Sequence, residues 1–310
     1  MSRKCQKVVI NSRNKLLKKY KGLYVILAVI MAYYLLFHYW PIVMGTILSF
    51  KDMRAGNTIW NAKWVGIENY VEIFNNPKFT QLLINTLTIS LNRLFWGFWP
   101  PIILAIIVFD LSSSKFRRVC QTIMYIPHFF SWVIIFGIVF AFFSGNGFIN
   151  NIIKLFGGER IDFLTSESAF VPLIVGSQIW KSAGWGTILY FAALTNINME
   201  LFEACKIDGA GPIQRIKAVT LPALVPIILF NLIISVGNIL NNDFEQILLF
   251  YNAAVYNVAD IIDTWVYRMG LGKMQFSIGS AVGLLKAFVG FILIVITNGV
   301  AKKTSGRSLW

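Results

Sequence analysis

Glu203-Ala204-Cys205-Lys206-Ile207-Asp208-Gly209-Ala210-Gly211-Pro212, followed by Val219-Thr220-Leu221-Pro222, is a short polar island between two long apolar segments. Asn198 stands where a helix cap is wanted, and Glu200 and Glu203 follow in the first turns, where negative charge suits the helix dipole. Gly209 and Gly211 should break that helix. Pro212 suits the first position of a second helix, which Pro222 is expected to end. Two stubby helices joined by a Gly-Ala-Gly elbow would make a compact knob. An ordinary helix lying on a membrane surface has no use for such punctuation.

The surroundings of the island set the class of protein. Of 310 residues, 56% are hydrophobic and 14% charged, against about 25% charged in soluble domains. Apolar runs long enough to cross a hydrocarbon core of about 30 Å recur along the chain. They predict an all-α polytopic membrane protein with six transmembrane helices, at about residues 23–49, 81–109, 121–143, 169–195, 223–249 and 276–300. A basic arm (residues 1–22) precedes the membrane domain (23–300), whose polar loop is 196–222, and a tail (301–310) follows it. The arm and first span read as a retained anchor, since the apolar run is too long for a signal peptide and no small-residue cleavage site follows.

Charge gives the orientation. The termini with loops 110–120 and 196–222 hold 17 of the 28 Lys and Arg, while the opposite loops hold 8. The positive-inside rule then puts both termini in the cytoplasm of a multi-pass plasma-membrane protein. The net charge of +14 therefore reports orientation and contact with membrane lipid, not a nucleic-acid partner. Cys5, Cys120 and Cys205 all fall on the cytoplasmic side, so no disulfide framework is implied.

Enzyme chemistry finds little to stand on. The histidines are His38 and His128, without an H-E-x-x-H pattern, and no metal site is expected. No G-x-x-x-x-G-K-[ST] loop occurs, so ATP is not expected on this chain. Arg93, Lys181 and Lys286 fall inside spans, where a central charge costs about 2.5–3.5 kcal/mol on insertion scales. They could line a substrate path with Asp243 and Glu245 as counter-charges, or serve as structural ion pairs. Trp180, Trp185 and Tyr190, with Asn231, Asn238 and Asn242, supply the rings and amides that sugars need. For any one of them, packing in the core or the aromatic belt is the commoner use.

The island resembles the EAA loop of ABC importer permeases, with Cys205 in place of the second Ala and Val219 in place of an Ile. Trp64-Val-Gly-Ile-Glu-Asn-Tyr70, Asn85-Thr86, Tyr125-Ile-Pro-His-Phe129, Ile179-Trp180-Lys181, Asp243-Phe-Glu-Gln246 and Ile262-Asp-Thr-Trp-Val-Tyr-Arg268 extend the likeness to the carbohydrate branch, over roughly residues 23–310. The resemblance implies the type I importer permease architecture. The chain would be half of a binding-protein-dependent, ATP-driven importer of an oligosaccharide or polysaccharide fragment. It implies a second permease, two ATPase subunits that carry the ATP and Mg, and an extracellular substrate-binding lipoprotein. Glu203, Ala204, Asp208, Gly209, Ala210, Gly211, Pro212, Leu221 and Pro222 would then couple this chain to the ATPase. The rivals are an ion-coupled secondary transporter, an intramembrane enzyme, and an ABC permease for another solute such as a peptide. The first calls for paired inverted repeats and mid-membrane broken helices that are not visible in the sequence, and it leaves Glu203 to Pro222 unexplained. The lack of paired catalytic groups disfavours the second.

Overall fold

The computed structural model describes residues 19–54, 56–241 and 243–305. Most of the basic arm with Cys5, the candidate Asn242, and the last five residues lie outside them. Helix α1 (Lys21–Ser49) passes through a π turn at Leu35–Tyr39 and ends at a two-stranded ribbon, β1 (Lys51–Asp52) antiparallel to β2 (Lys63–Trp64). After them come α2 (Glu68–Asn75), α3 (Phe79–Phe109), α4 (Ser114–Tyr125), α5 (Trp132–Phe143) and α6 (Phe148–Leu155). The long α7 (Glu167–Thr195) leads to α8 (Met199–Ile207), α9 (Pro212–Gly237) and α10 (Phe244–Phe250). The short α11 (Tyr256–Ala259) and α12 (Ile262–Tyr267) precede the final α13 (Phe276–Ser305).

The frame is the parallel pair α3 and α7. Gly97 faces Ile179, the ring of Pro101 meets Gly186, and Phe109 lies 6.1 Å from Phe191, so both helices run the same way through the fold. Apolar side chains bind this pair to its neighbours in three cores. Ile89, Ile135, Phe170, Ile174 and Ile247 join α3, α5, α7 and α10. Ile73, Leu82, Trp265 and Ile278 join α2, α3, α12 and α13. Ile102, Ala105, Tyr190, Leu194 and Leu224 join α3, α7 and α9.

Among the described residues, five segments are long and apolar enough to cross a membrane: Lys21–Ser49, Phe79–Phe109, Trp132–Leu155, Pro212–Gly237 and Phe276–Lys303. Helix α7, 29 residues long, is not among them. Its centre carries Ser177, Gln178, Lys181, Ser182 and Thr187, which dilute an otherwise apolar segment.

The helices depart from the expected boundaries in three places. The expected run 121–143 is broken: α4 stops at Tyr125, a 3-10 turn covers Ile126–Phe129, and Ser131 caps α5 by accepting from the Ile134 N–H. Pro127 removes a donor and disfavours helical geometry before it. The expected run 223–249 is also broken, between Gly237 and Phe244. Conversely, Pro222 does not end the helix begun at Pro212. A π turn at Ile216–Thr220 intervenes, with the Leu221 N–H donating to the Ile216 carbonyl five residues back. Pro222 thereby falls in the first turn of the regular helix that follows, a position proline tolerates.

Two glycines of α13 show where another helix approaches it closely and where none does. A side chain on Gly283 would meet nothing within 4 Å, whereas a Cβ on Gly290 would lie 2.6 Å from the Gly237 carbonyl oxygen. The tight crossing of α9 and α13 is therefore at Gly237 and Gly290, halfway along α13.

Candidate functional site

The polar island folds as two helices and an elbow. The Asn198 side chain accepts from the Glu200 N–H at 3.0 Å, capping α8. At the other end the Gly209 N–H donates to Lys206 (3.1 Å) and the Ala210 N–H to Cys205 (2.9 Å), the paired closure of a Schellman turn. That turn needs one left-handed residue, and Gly209 supplies it with φ +74°. Gly211 sits at φ −68°, and its N–H donates to the Gln214 side chain at 2.7 Å, so α9 starts on Pro212 with half a capping box.

The knob is fixed to the body through its inner face. Phe202, 9% exposed, packs against Phe109 at 5.9 Å between ring centres, and Arg215 lies 3.8 Å from Asp110. Arg117 of α4 donates to the carbonyls of Phe109 and Leu111, closing the end of α3. Loops 110–113 and 196–211 thus share one end of the fold. Its outer face presents Glu203, Ala204, Asp208 and Gly209, beside Met199, Leu201, Ile213 and an Ile207 that is 87% exposed. Ala210 and Gly211 are half-buried, and Leu221 and Pro222 lie exposed at the foot of the knob.

The intramembrane charges separate into two groups. Lys181, the midpoint of α7, donates to the carbonyls of His128 (3.0 Å) and Phe130, and lies 5.3 Å from the centre of the Trp132 ring. It satisfies the backbone that the α4–α5 break leaves open. Lys286 pairs with Asp263 of α12, not with Asp243 or Glu245, the expected counter-charges. Glu245 is exposed. Trp185 stacks flat on His128, ring centres 4.4 Å apart, and Trp180 lies on an apolar groove between α5 and α7.

Arg93 differs. Near the midpoint of α3, it is held by the side-chain oxygen of Gln246 and opens on a cavity of about 340 Å³ between α3, α7 and α9. That cavity collects five of the residues singled out from sequence, Arg93, Tyr190, Asn231, Asn238 and Asp243. Ser90, Gln178, Ser235 and Asn241 also line it. Their spacing was a usable signal: 231, 235 and 238 lie on one helix face, as do 178, 186 and 190. Asn238, Asn241 and Asp243 come from the non-helical stretch after α9, irregular backbone of the kind membranes tolerate where it borders a cavity.

The pattern of the family described as "binding-protein-dependent transport system inner membrane component" matches residues 102–306. The chain belongs to this family. It is 41% identical over 295 residues to the protein LplB of Bacillus subtilis (strain 168), covering 95% of this chain and 92% of the relative. It is also 41% identical over 291 residues to YteP of the same organism, a polygalacturonan/rhamnogalacturonan transport system permease protein, covering 94% and 90%. A solved bacterial alginate ABC transporter, in complex with an alginate pentasaccharide-bound periplasmic protein, superposes with TM-score 0.86 at 34% identity. That match covers 95% of this chain and 99% of the other. The fold is thus the all-α type I importer permease architecture.

In this family member the stretches that carried the resemblance are halves of polar clamps. Asn69 donates to the carbonyls of Ser49 (2.8 Å) and Lys51 (2.9 Å), tying the Trp64–Tyr70 segment to the end of α1. Asn85 donates to Asn257 (2.7 Å) and Asp260 (2.8 Å), while the Thr86 hydroxyl accepts from the Ile262 N–H (3.0 Å). Lys181 joins Ile179–Lys181 to Tyr125–Phe129. Gln246 donates to Ile174 (2.8 Å) and Ser177 (2.9 Å). Arg268 grips Asp260 with two bonds of 2.6 and 2.8 Å, and Lys286 holds Asp263.

Proposed function

We propose that this chain is one of two related permease subunits of an ATP-driven, binding-protein-dependent importer of carbohydrate, an oligosaccharide or polysaccharide fragment. Two ATPase subunits carrying ATP and Mg, and an extracellular substrate-binding lipoprotein, complete the assembly; this chain itself binds no cofactor. It crosses the bacterial plasma membrane six times, α7 being the span whose polar centre borders the path, with both termini cytoplasmic.

The observation that carries the reading is the exposed knob of α8 and the start of α9. Its inner face is locked to Phe109 and Asp110, and its outer face offers Glu203, Asp208 and bare apolar side chains. A partner pressing on it pushes on α3 through Phe109 and Asp110, and on α7 and α9, to which the knob is joined; these three helices wall the polar cavity. The neutral amides and hydroxyls of that cavity suit sugar hydroxyls. Broken helices, which an ion-coupled carrier also uses, occur here and do not separate the two readings; the knob does.

The test is uptake of labelled oligosaccharides into vesicles holding this chain, its neighbouring permease, the ATPase and the binding protein. Uptake that requires ATP and the ATPase is expected. Uptake by this chain without an ATPase, driven by an ion gradient, would replace the proposal with a secondary carrier.

A further inference from the structure

Of the three basic side chains that fall inside the expected spans, two are consumed in locks, Lys181 by carbonyl groups and Lys286 by Asp263. Arg93 alone of these three lines the cavity, and Asp243 is the one acid among the described residues that line it. The other polar groups there are uncharged: hydroxyls of Ser90 and Ser235, amides of Gln178 and Asn231. Arg93 and Asp243 come from different elements, α3 and the residue that opens α10. Their position is well supported, because Gln246 is fully buried, tied to Ile174 and Ser177 of α7, and turned by those bonds to receive Arg93.

We propose that Arg93 and Asp243 form a charge-balanced pair that sets which net charge a saccharide can carry through this cavity, an inference that rests on the carbohydrate reading above. With both present the wall is neutral, and sugar hydroxyls are recognised by the amides and hydroxyls whether or not the sugar bears a carboxylate. Without Arg93 the wall keeps one negative charge and repels a uronate. Without Asp243 it keeps one positive charge and favours a uronate over its neutral ester. In a half-polar surrounding one unit charge several ångströms away changes affinity by about tenfold.

The experiment uses the purified complex of both permeases and the ATPase in nanodiscs, without the binding protein, so that selection by that protein does not enter, and with the second permease unchanged in every variant. The probes are trigalacturonate and its fully methyl-esterified form, equal in length and differing in charge. Dissociation constants are measured by saturation-transfer NMR. The wild type is expected to bind both within about threefold of each other. Arg93→Gln should weaken the acid relative to the ester by about tenfold, and Asp243→Asn should shift the ratio as far the other way. The double variant and Arg93→Lys should return it to the wild-type value. A wild type that binds one form only, or neither, overturns the pair without the use of any variant. So do single variants, recovered as intact complex, that weaken both forms alike, since that marks a structural role. ATP-dependent uptake of a saccharide by the complete importer, alongside such a result, would leave the carbohydrate reading standing and remove only the charge-balanced pair.

Discussion

Substituting Gly209 tests whether the knob works through its backbone shape. At φ +74° an L-residue places Cβ against the neighbouring carbonyl, at roughly 1–2 kcal/mol. Apart from its two chain neighbours, nothing among the described residues lies within 4 Å of that Cβ, so the cost is conformational and not one of packing against other parts of the subunit. Gly209→Ala should therefore cut the fraction of correctly shaped knob about 5- to 30-fold relative to distorted forms. Gly209→Val, β-branched, should exceed the alanine cost, and Gly209→Asn, which tolerates the left-handed region, should fall below about 1 kcal/mol. The assay is ATPase recovery with the purified complex, then substrate-stimulated hydrolysis and uptake after reconstitution. The order expected is Gly, Asn, Ala, Val, with membrane insertion unchanged throughout. Asparagine as damaging as valine would refute the reasoning, because it would place the penalty in contact with the docked partner and not in the turn.

Three further outcomes are expected. The Lys286–Asp263 pair is mostly buried, so Lys286→Met should destabilise the membrane domain by about 3–5 kcal/mol, and Lys286→Met with Asp263→Leu should recover most of it; thermal unfolding of the detergent-solubilised complex measures both. Gly184→Ala would drive a Cβ to 1.9 Å from the Met124 carbonyl oxygen and should lower the unfolding temperature, whereas Gly283→Ala, with open space around it, should leave it unchanged or raise it. Cys120 and Cys205, both half-exposed in the chain, should resist a membrane-impermeant thiol reagent in intact cells and react in inverted vesicles; labelling from outside would reverse the proposed orientation.

The helices were legible because burial in lipid leaves a one-dimensional record, a long apolar run with charge kept to its ends. That record fails where the membrane is not the neighbour. Helix α7 hides part of its identity because its centre faces protein and a cavity, so Gln178, Lys181 and Thr187 are affordable there. The two breaks are hidden in different ways. Residues 126–131 stay largely apolar through the first, and hydropathy does not register whether a backbone N–H has a partner; the second is marked by Asn238, Asn241, Asn242 and Asp243, which the apolar average over 223–249 absorbs. Pro127 was visible but so was Pro222, and they act oppositely. Pro127 begins a 3-10 turn, while Pro222 is absorbed by the π turn before it.

The site was legible unevenly, and the reason lies in what the recurrent motifs do. Gly209 could be named in advance because a left-handed turn admits few residues, and a glycine just past a helical run advertises one. Asn69, Asn85, Lys181, Gln246 and Arg268 belong to equally distinctive stretches, yet each satisfies a backbone or a charge elsewhere in the same chain. A clamp of this kind is demanded by the architecture whatever is carried, so its presence identifies the scaffold and is silent on the cargo. Lys181 and Lys286 were candidates for the path because an intramembrane charge is costly, but the same cost is met as well by an internal partner. Arg93 escapes that ambiguity only because the structure puts it on a cavity wall with Asp243. Substrate choice is therefore to be sought on the cavity wall, in Arg93 and Asp243 for charge and in Gln178, Asn231, Ser235 and Asn238 for the pattern of hydroxyls, while the clamps hold the scaffold.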